Sequence, residues 1–180
     1  FDMFFFADGL GGGINRASVR YAIQFPTHDP LTLVPYLAAV TEKLGFAVTM
    51  STTFYQPYML ARKLASIDHI TKGRIGWNIV SSISSGEARN FGMDALPPHD
   101  ERYDRADEFM DVVRKLWQSW DDGAVLMDME NALFAVPEKI HKIDHKGKWF
   151  DVQGPLAVLP SPQGVPYLFQ AGSSDRGRDF

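Results

Sequence analysis

The chain is predicted to be an α/β protein built on a parallel sheet. Short apolar runs alternate along it with longer segments of helical periodicity, and each apolar run ends in small or polar residues. Of its 180 residues, 45% are hydrophobic and 22% are charged, which is typical of a globular protein. Alternation of this kind is typical of βα units, in which helices cover a sheet of parallel strands. We expect residues 1–180 to form a single domain.

The predicted strands are the apolar runs at residues 3–7, 46–51, 74–80 and 166–171. Their continuous apolar character is expected of strands that are buried on both faces. The carboxyl ends of such strands are where an α/β barrel places its chemistry.

Three helices are predicted between these strands, at residues 31–44, 57–70 and 100–120. The first follows Asp29-Pro30 and stops at Gly45, and the second stops at Gly73. An Asp or Pro is favoured at a helix start and a Gly at a helix end. The third helix has an acidic first turn, which the helix dipole stabilises.

Residues 121–164 interrupt the alternation of strands and helices. The segment contains Pro137, Pro155, Pro160 and Pro162, and it is longer than a connection in a βα sheet needs to be. We therefore expect an inserted excursion with short strands of its own, one of them near residues 148–152.

Charge and composition exclude several classes of partner and cofactor. A net charge of -4 leaves no basic patch for nucleic acid or anionic lipid, so neither nucleic acid nor a membrane is expected as a partner. The absence of cysteine excludes disulfides and fits a reducing cytoplasm. The five histidines are scattered without a ligand pattern, so no metal site is predicted.

The termini and the glycine-rich segment carry further expectations. The chain starts inside an apolar run and stops at a strand-to-helix turn, so we expect a truncated sequence. The glycines between Gly9 and Gly13 lack the spacing of a dinucleotide or phosphate-binding loop and are predicted to form a mobile loop.

Polar residues follow each predicted strand. They are Asp8, then Ser51-Thr52-Thr53, then Asn78 with Ser81-Ser82, and finally Gly172-Ser173-Ser174. Any one of them could be an ordinary turn or cap residue. Because they recur at four successive strand ends, they favour a shared site at the mouth of a barrel.

Several longer segments carry a resemblance to a known family. They are Phe6-Ala7-Asp8-Gly9, Ser51-Thr52-Thr53-Phe54-Tyr55, Gly73-Arg74-Ile75-Gly76-Trp77-Asn78-Ile79-Val80-Ser81-Ser82, Arg102-Tyr103-Asp104-Arg105, Ser161-Pro162-Gln163-Gly164 and Gln170-Ala171-Gly172-Ser173-Ser174. As a set they resemble the bacterial-luciferase-like flavin-dependent monooxygenases, in particular the nitrilotriacetate and dibenzothiophene-sulfone monooxygenases.

The resemblance implies a fold and an activity. The fold would be a partial TIM (β/α)8 barrel, from about the second to the fifth strand, with the excursion before the fifth. The activity would be FMNH2-dependent monooxygenation in a two-component system, using O2 through a flavin C4a-hydroperoxide to oxygenate a small organic substrate. A separate NAD(P)H-dependent flavin reductase and a homo-oligomer are expected, and the segment alone is expected to be inactive.

The resemblance also implies roles for individual residues. It assigns Asp8, Thr52, Thr53 and Asn78 to the flavin ring and ribityl chain. Ser82 stands where some relatives have histidine. Tyr103, Ser173 and Ser174 fall where the FMN phosphate is held, and Arg176 either adds charge there or is a solvated surface group. No catalytic residue is assigned.

Some interpretations stay open in the sequence. Phe4, Phe5, Phe6, Phe54 and Tyr55 either line an apolar substrate cleft or, for the first three, fill the barrel core. Scaffold ion pairs are expected for Arg74, Arg89, Arg102 and Glu108. The alternatives to a monooxygenase are a barrel oxidoreductase that uses deazaflavin F420 and a flavin-binding protein without catalysis.

Overall fold

The computed structural model describes residues 1–11 and 14–180, and strands are numbered here in chain order. Its main sheet contains β1 (Met3–Phe6), β2 (Gly45–Ser51), β3 (Ile75–Val80) and β8 (Tyr167–Gln170), all parallel and in that order. All four predicted strands are therefore present, with ends that differ by at most one residue from those predicted. Of the predicted glycine loop, residues 12 and 13 lie outside the described residues.

Six α-helices occur in the described residues: α1 (Arg16–Tyr21), α2 (Pro30–Ala39), α3 (Pro57–Thr71), α4 (Ser85–Asn90), α5 (His99–Trp117) and α6 (Asp175–Asp179). The short α1 and α4 were not predicted. Each starts with a capping box, in which the first side chain caps the helix and the side chain three residues later bonds back to it. The two pairs are Asn15 with Ser18 and Ser84 with Glu87.

The predicted ends of two helices were wrong. Residues 31–44 were expected to be helical, but α2 ends at Ala39 because the Thr41 hydroxyl donates to the Leu37 carbonyl at 2.7 Å. Residues 100–120 were expected in α5, which instead ends at Trp117. Beyond it, the Ser119 hydroxyl donates to the Leu116 carbonyl at 2.7 Å. In both places a side chain replaces the next helical hydrogen bond.

The outer face of the sheet forms the main hydrophobic core. Large side chains of β2 and β3 point outward and are fully buried against α2, α3 and α5; they include Phe46, Val48, Ile75 and Trp77. The Trp77 indole donates to the Met50 carbonyl at 3.0 Å, so its one polar atom is satisfied.

The inner face of the sheet carries small and polar side chains, because successive residues of a strand point to opposite faces. Ala47 and Gly76 are neighbours in register, and a Cβ on Gly76 would lie 2.7 Å from the Phe169 ring. The space that they leave is filled by Phe169 and Phe5, whose ring centroids are 5.7 Å apart. These rings belong to the two outermost strands of the sheet, so the sheet is strongly curved.

The excursion at residues 121–164 is present and contains two antiparallel hairpins. They pair β4 (Val125–Asp128) with β5 (Leu133–Ala135), and β6 (His145–Lys146) with β7 (Asp151–Val152). A strand was expected over residues 148–152, but only its last two residues are in a strand. Residues 147–150 form the turn instead, closed by the Gly147 amide donating to the Phe150 carbonyl at 2.9 Å.

Two carboxylates on helices anchor this excursion. Glu108 of α5 accepts hydrogen bonds from the amides of Lys148, Trp149 and Phe150 at 2.9–3.2 Å. Asp68 of α3 is fully buried and accepts from the Ser161 hydroxyl and from the Gln163 side chain. The excursion is therefore fixed near its middle and at its end.

The expected ion pairs of the arginines were wrong. The Arg74 guanidinium donates to the carbonyls of Ala38, Leu44 and Thr71 rather than to a carboxylate. Arg102 donates to the Pro97 carbonyl. Within residues 1–11 and 14–180, no ion pair of Arg74, Arg89 or Arg102 is present, whereas Glu108 does contact His145 at 3.2 Å. No helix in the described part of the chain is long and apolar enough to cross a membrane.

Replacing Glu108 by Gln should loosen the excursion, because the backbone amides of residues 148–150 donate to both carboxylate oxygens, whereas a Gln side chain has only one acceptor oxygen. The free energy of unfolding should fall by about 1–3 kcal/mol, the cost of leaving partly buried donors unpaired. Urea denaturation of the intact protein measures this, with Glu42→Gln, an exposed site, as the matched control. Equal stability of the two variants would contradict the anchoring role.

The same variant should change the response to acid. Burial raises the pKa of Glu108, but hydrogen bonds from His145 and from the amides of residues 148–150 lower it below its ordinary 4.5 on balance. Its contribution to stability is therefore present above the ordinary pKa and is lost as the pH falls through the folded one. Glu108→Gln should remove this part of the acid sensitivity.

Candidate functional site

A cavity of about 320 Å³ opens at the carboxyl ends of the parallel strands. Its lining comes from every strand of the main sheet or the segment that follows it, together with α4, α5 and the last residue of the chain. The lining residues are Asp8, Thr52, Ile79, Val80, Ser81, Ser82, Ile83, Glu87, Tyr103, Ala106, Gln170, Ala171, Gly172 and Phe180. We call it the strand-end cavity.

Four of the eight predicted site residues line this cavity: Asp8, Thr52, Ser82 and Tyr103. The other four do not line it. Ser173 is exposed, and Thr53 is buried with its hydroxyl donating to the Ser81 carbonyl at 2.7 Å. Asn78 lies two residues before Val80 and Ser174 two residues after Gly172, and both Val80 and Gly172 line the cavity.

Two carboxyl groups lie on one side of the cavity. Partial burial raises the pKa of Asp8, and the negative charges of Asp29 and Glu87 raise it further, against the opposing hydrogen bond from Gly9. Glu87 is buried and accepts from the Leu10 amide at 3.0 Å, so it joins α4 to the loop after β1. The cavity therefore has an electronegative side.

The segments after β2 and β3 are held together by hydroxyl groups. Ser82 has a φ of 62°, unusual for a residue with a side chain, and its hydroxyl donates to the Ser51 hydroxyl at 2.9 Å. From the helix side, the partly buried Arg105 guanidinium donates to the Thr52 carbonyl and stacks over the Phe150 ring, 4.6 Å from its centroid. Arg105 thus connects the excursion to the cavity lining.

Asn78 lies on the inner face of β3, two residues before the cavity-lining Val80. Its amide nitrogen donates to the Thr49 hydroxyl at 2.9 Å, and that hydroxyl donates to the Phe6 carbonyl at 2.8 Å. The carbonyl oxygen of the Asn78 side chain is buried and has no partner among the described residues. A buried polar atom of this kind calls for a ligand or water.

Tyr103 and the start of α6 meet at one end of the cavity. A Cβ added to either Gly172 or Gly177 would lie 2.8 Å from the Tyr103 hydroxyl, so the phenol fits only because both are glycines. The Ser174 hydroxyl accepts from the Gly177 amide at 3.1 Å and lies 3.3 Å from the His99 imidazole. The sequence prediction brought Tyr103 and Ser174 together, and the structure does so.

Arg176 is not available as a free charge at this end of the cavity. Its guanidinium pairs with Asp104 and Asp107 on α5, which raises its pKa, and lies 5.6 Å from the centroid of the Tyr103 ring. Of the two roles left open for this residue, that of a phosphate-neutralising group is therefore not favoured.

The aromatic residues divide between core and surface. Phe6 packs against the main core, and Phe5 packs on Phe169 inside the curved sheet. Phe54 stacks on Phe91 with ring centroids 4.5 Å apart. None of the five aromatic residues singled out in the sequence lines the strand-end cavity.

Three contributors to this region were missed in the sequence: Glu87, His99 and Gln170. The Ser84-x-x-Glu87 spacing could have revealed α4 and hence Glu87. Gln170, which donates to the Gly177 carbonyl at 2.9 Å, lies one residue before the end of the predicted strand 166–171 and could have been included with its neighbours. Nothing local in the sequence indicates that His99 reaches Ser174. The described residues contain no group of three or more His, Asp or Glu placed to hold a metal ion.

A parallel βα sheet with a ligand-sized cavity at its carboxyl ends defines the class of α/β proteins that bind small molecules at the mouth of a barrel. Comparison with known proteins narrows this class. The chain belongs to the luciferase-like monooxygenase family, whose model matches residues 1–180. The family resemblance carried by the sequence motifs is confirmed, and both nitrilotriacetate and dibenzothiophene-sulfone monooxygenases are among the relatives.

Individual relatives agree in sequence and in structure. The chain is 49% identical to the long-chain alkane monooxygenase of Geobacillus thermodenitrificans, over 100% of its own length and 42% of the relative's. It is 45% identical to the dibenzothiophene-sulfone monooxygenase of Rhodococcus erythropolis, over 100% and 41%. A riboflavin lyase crystallised with a modified FMN superposes with a TM-score of 0.91 at 42% identity, over 98% and 41%. The chain thus spans about two fifths of these proteins.

Proposed function

We propose that this chain forms part of a monooxygenase that uses reduced FMN and O2 to oxygenate a small organic substrate. The observation that carries the proposal is the strand-end cavity, because residues from all four parallel strand ends converge on it. Family membership supports the same reaction class. The relatives are named for alkane, sulfone, sulfide and aminopolycarboxylate substrates, which differ widely in charge and polarity.

The cavity residues fit a flavin in their chemistry. A volume of about 320 Å³ lies in the range of small-molecule sites. The unpartnered Asn78 oxygen, together with the hydroxyls of Thr52 and Ser82, offers hydrogen bonds to the ring or ribityl chain. Reduced FMN, when bound, would supply the electrons and the oxygen-activating chemistry. The role of the protein would be to orient the ring, exclude water and admit substrate.

The phosphate of FMN would lie at the end of the cavity formed by Tyr103, Ser173 and Ser174. Support comes from the Tyr103 phenol between Gly172 and Gly177 and from the Ser174 hydroxyl beside the His99 imidazole. Phenol, hydroxyl and imidazole donors suit a phosphate dianion, since hydrogen bonds to a charged group are the stronger kind.

The remaining features of the proposal concern the whole protein. We infer that β1, β2, β3 and β8 correspond to the second to fifth strands of a (β/α)8 barrel, as one incomplete domain with the excursion at 121–164. Reduced FMN would come from a separate NAD(P)H-dependent reductase, and the assembly would be a homo-oligomer. A cytoplasmic location stays a prediction from the absence of cysteine.

Oxygen consumption tests the proposed reaction. The intact protein, supplied with FMN, NADH and a flavin reductase, should consume O2 and form oxygenated product from dibenzothiophene sulfone or dimethyl sulfide. Product should exceed the hydrogen peroxide released by free reduced flavin. O2 converted entirely to peroxide would indicate a flavin-binding protein without oxygenase activity. Turnover only with deazaflavin F420 would favour the hydride-transfer alternative.

Asn78→Leu should weaken the binding of reduced FMN by about 1–3 kcal/mol, because it leaves polar atoms of the ring without a partner. An anaerobic fluorescence titration of the intact protein measures the dissociation constant, and circular dichroism should be unchanged. Thr32→Val, on the exposed side of α2, is the control. An unchanged dissociation constant would assign Asn78 to the hydrogen-bond chain through Thr49 alone.

Tyr103→Phe combined with Ser174→Ala should weaken the binding of reduced FMN much more than the binding of reduced riboflavin, because only FMN carries the phosphate that these hydroxyls would bind. The expected difference is about tenfold or more, for the loss of charge-assisted hydrogen bonds. Anaerobic titration with both flavins measures it. Equal losses for the two flavins, or losses that follow thermal stability, would show that there is no phosphate clamp.

A further inference from the structure

A second cavity, of about 410 Å³, adjoins the strand-end cavity and shares Asp8 with it. Residues 8–11 and 14 after β1, the segment before α2 and the end of α4 line it, and we call it the loop cavity. Glu87, which lines the strand-end cavity, accepts a hydrogen bond from the amide of Leu10, which lines the loop cavity. A molecule in the loop cavity would therefore lie next to a ligand bound at the strand ends.

The walls of the loop cavity include a set of apolar side chains: Ile14, Phe25, Pro26 and Phe91. Phe91 stacks on Phe54 with ring planes 18° apart, which holds the ring as a fixed wall. Such walls favour an apolar ligand body over a strongly hydrated one.

The charges around the loop cavity are predominantly negative. Asp8 and Asp29 line it, and Glu87 lies at its boundary. Neither cavity has a lysine or an arginine in its lining among the described residues, and positions 12 and 13 of the adjoining loop are glycines. His28 is the one lining residue of the loop cavity in the described chain that could carry a positive charge.

We propose that the loop cavity binds the organic substrate, and that it admits an uncharged molecule with an apolar body while excluding polycarboxylates. The inference rests on the proposed function, since it places the substrate beside the flavin. A carboxylate on the ligand would lose its hydration next to the carboxylates of Asp8 and Asp29, with no lysine or arginine in the described lining to compensate. Like charges brought together at a binding site disfavour that ligand.

Binding measurements without turnover test the proposal. Equilibrium dialysis of the intact protein, under anaerobic conditions with and without reduced FMN, would use dibenzothiophene sulfone as the neutral probe and nitrilotriacetate as the anionic one. The sulfone should bind at least about tenfold more tightly, because of the like charges that face the anion. Phe91→Ala should weaken sulfone binding about fivefold through loss of the aromatic wall, whereas Phe134→Ala, on the exposed β4–β5 hairpin, should not.

A second variant, Asp29→Asn, tests the role of the negative charge in the loop cavity. Asp29→Asn removes the charge but keeps a side-chain oxygen that can accept from the Leu31 amide, as Asp29 does at 2.8 Å, so α2 keeps its cap. It should reduce the discrimination against nitrilotriacetate by about threefold or more. Asp128→Asn, at the end of β4, where the side chain likewise accepts from backbone amides, is the matched control and should leave the discrimination unchanged.

The outcomes separate this proposal from the one that it rests on. Equal or tighter binding of nitrilotriacetate, no measurable binding of the sulfone, or a sulfone affinity unaffected by Phe91→Ala would each overturn the substrate assignment while reduced FMN still binds. Failure of the intact protein to bind reduced FMN in the same experiment would instead count against the proposed function.

Discussion

The alternation of side chains along β2 and β3 is the constraint on which the site depends. Phe46, Val48, Ile75 and Trp77 must all face the helices to form a core, and period-two geometry then sends the residues between them to the inner face. A slip of one residue would turn Asn78 toward the helices and Trp77 toward the inner face of the sheet. The packing of the outer face thereby decides which polar groups reach the carboxyl ends of the strands.

The excursion adds a second level of organisation through a buried and a partly buried carboxylate rather than through an extensive core of its own. Asp68 and Glu108 each collect several hydrogen bonds from it, so its long path is fixed against α3 and α5. Phe150 of the excursion lies under Arg105, which holds the Thr52 carbonyl at the cavity. A segment that contributes no residue to either cavity is in this way connected to the lining of the strand-end cavity.

The sequence predicted what depends on local patterns and missed what depends on distant partners. The four strands of the main sheet follow from their apolar runs, and α3 was placed within one residue of its observed end. The early end of α2 depends only in part on the local Thr41 hydroxyl, because Arg74 on a later segment also donates to the Ala38 carbonyl, which a longer helix would have used. The same holds for the site: Asp8, Thr52, Ser82 and Tyr103 reach the cavity, whereas the contact of His99 with Ser174 spans 75 positions.

The central claim is that the carboxyl ends of the parallel strands bind reduced FMN. Anaerobic hydrogen–deuterium exchange of the intact protein, with and without reduced FMN, tests it most directly. Exchange should be slower at residues 51–53, 78–83 and 171–175 when reduced FMN is bound. It should not change in the hairpin at 125–135, which contributes no residue to the cavity lining. Protection confined to the opposite ends of the strands, around residues 43–46 and 73–76, would contradict it, as would the absence of any protection.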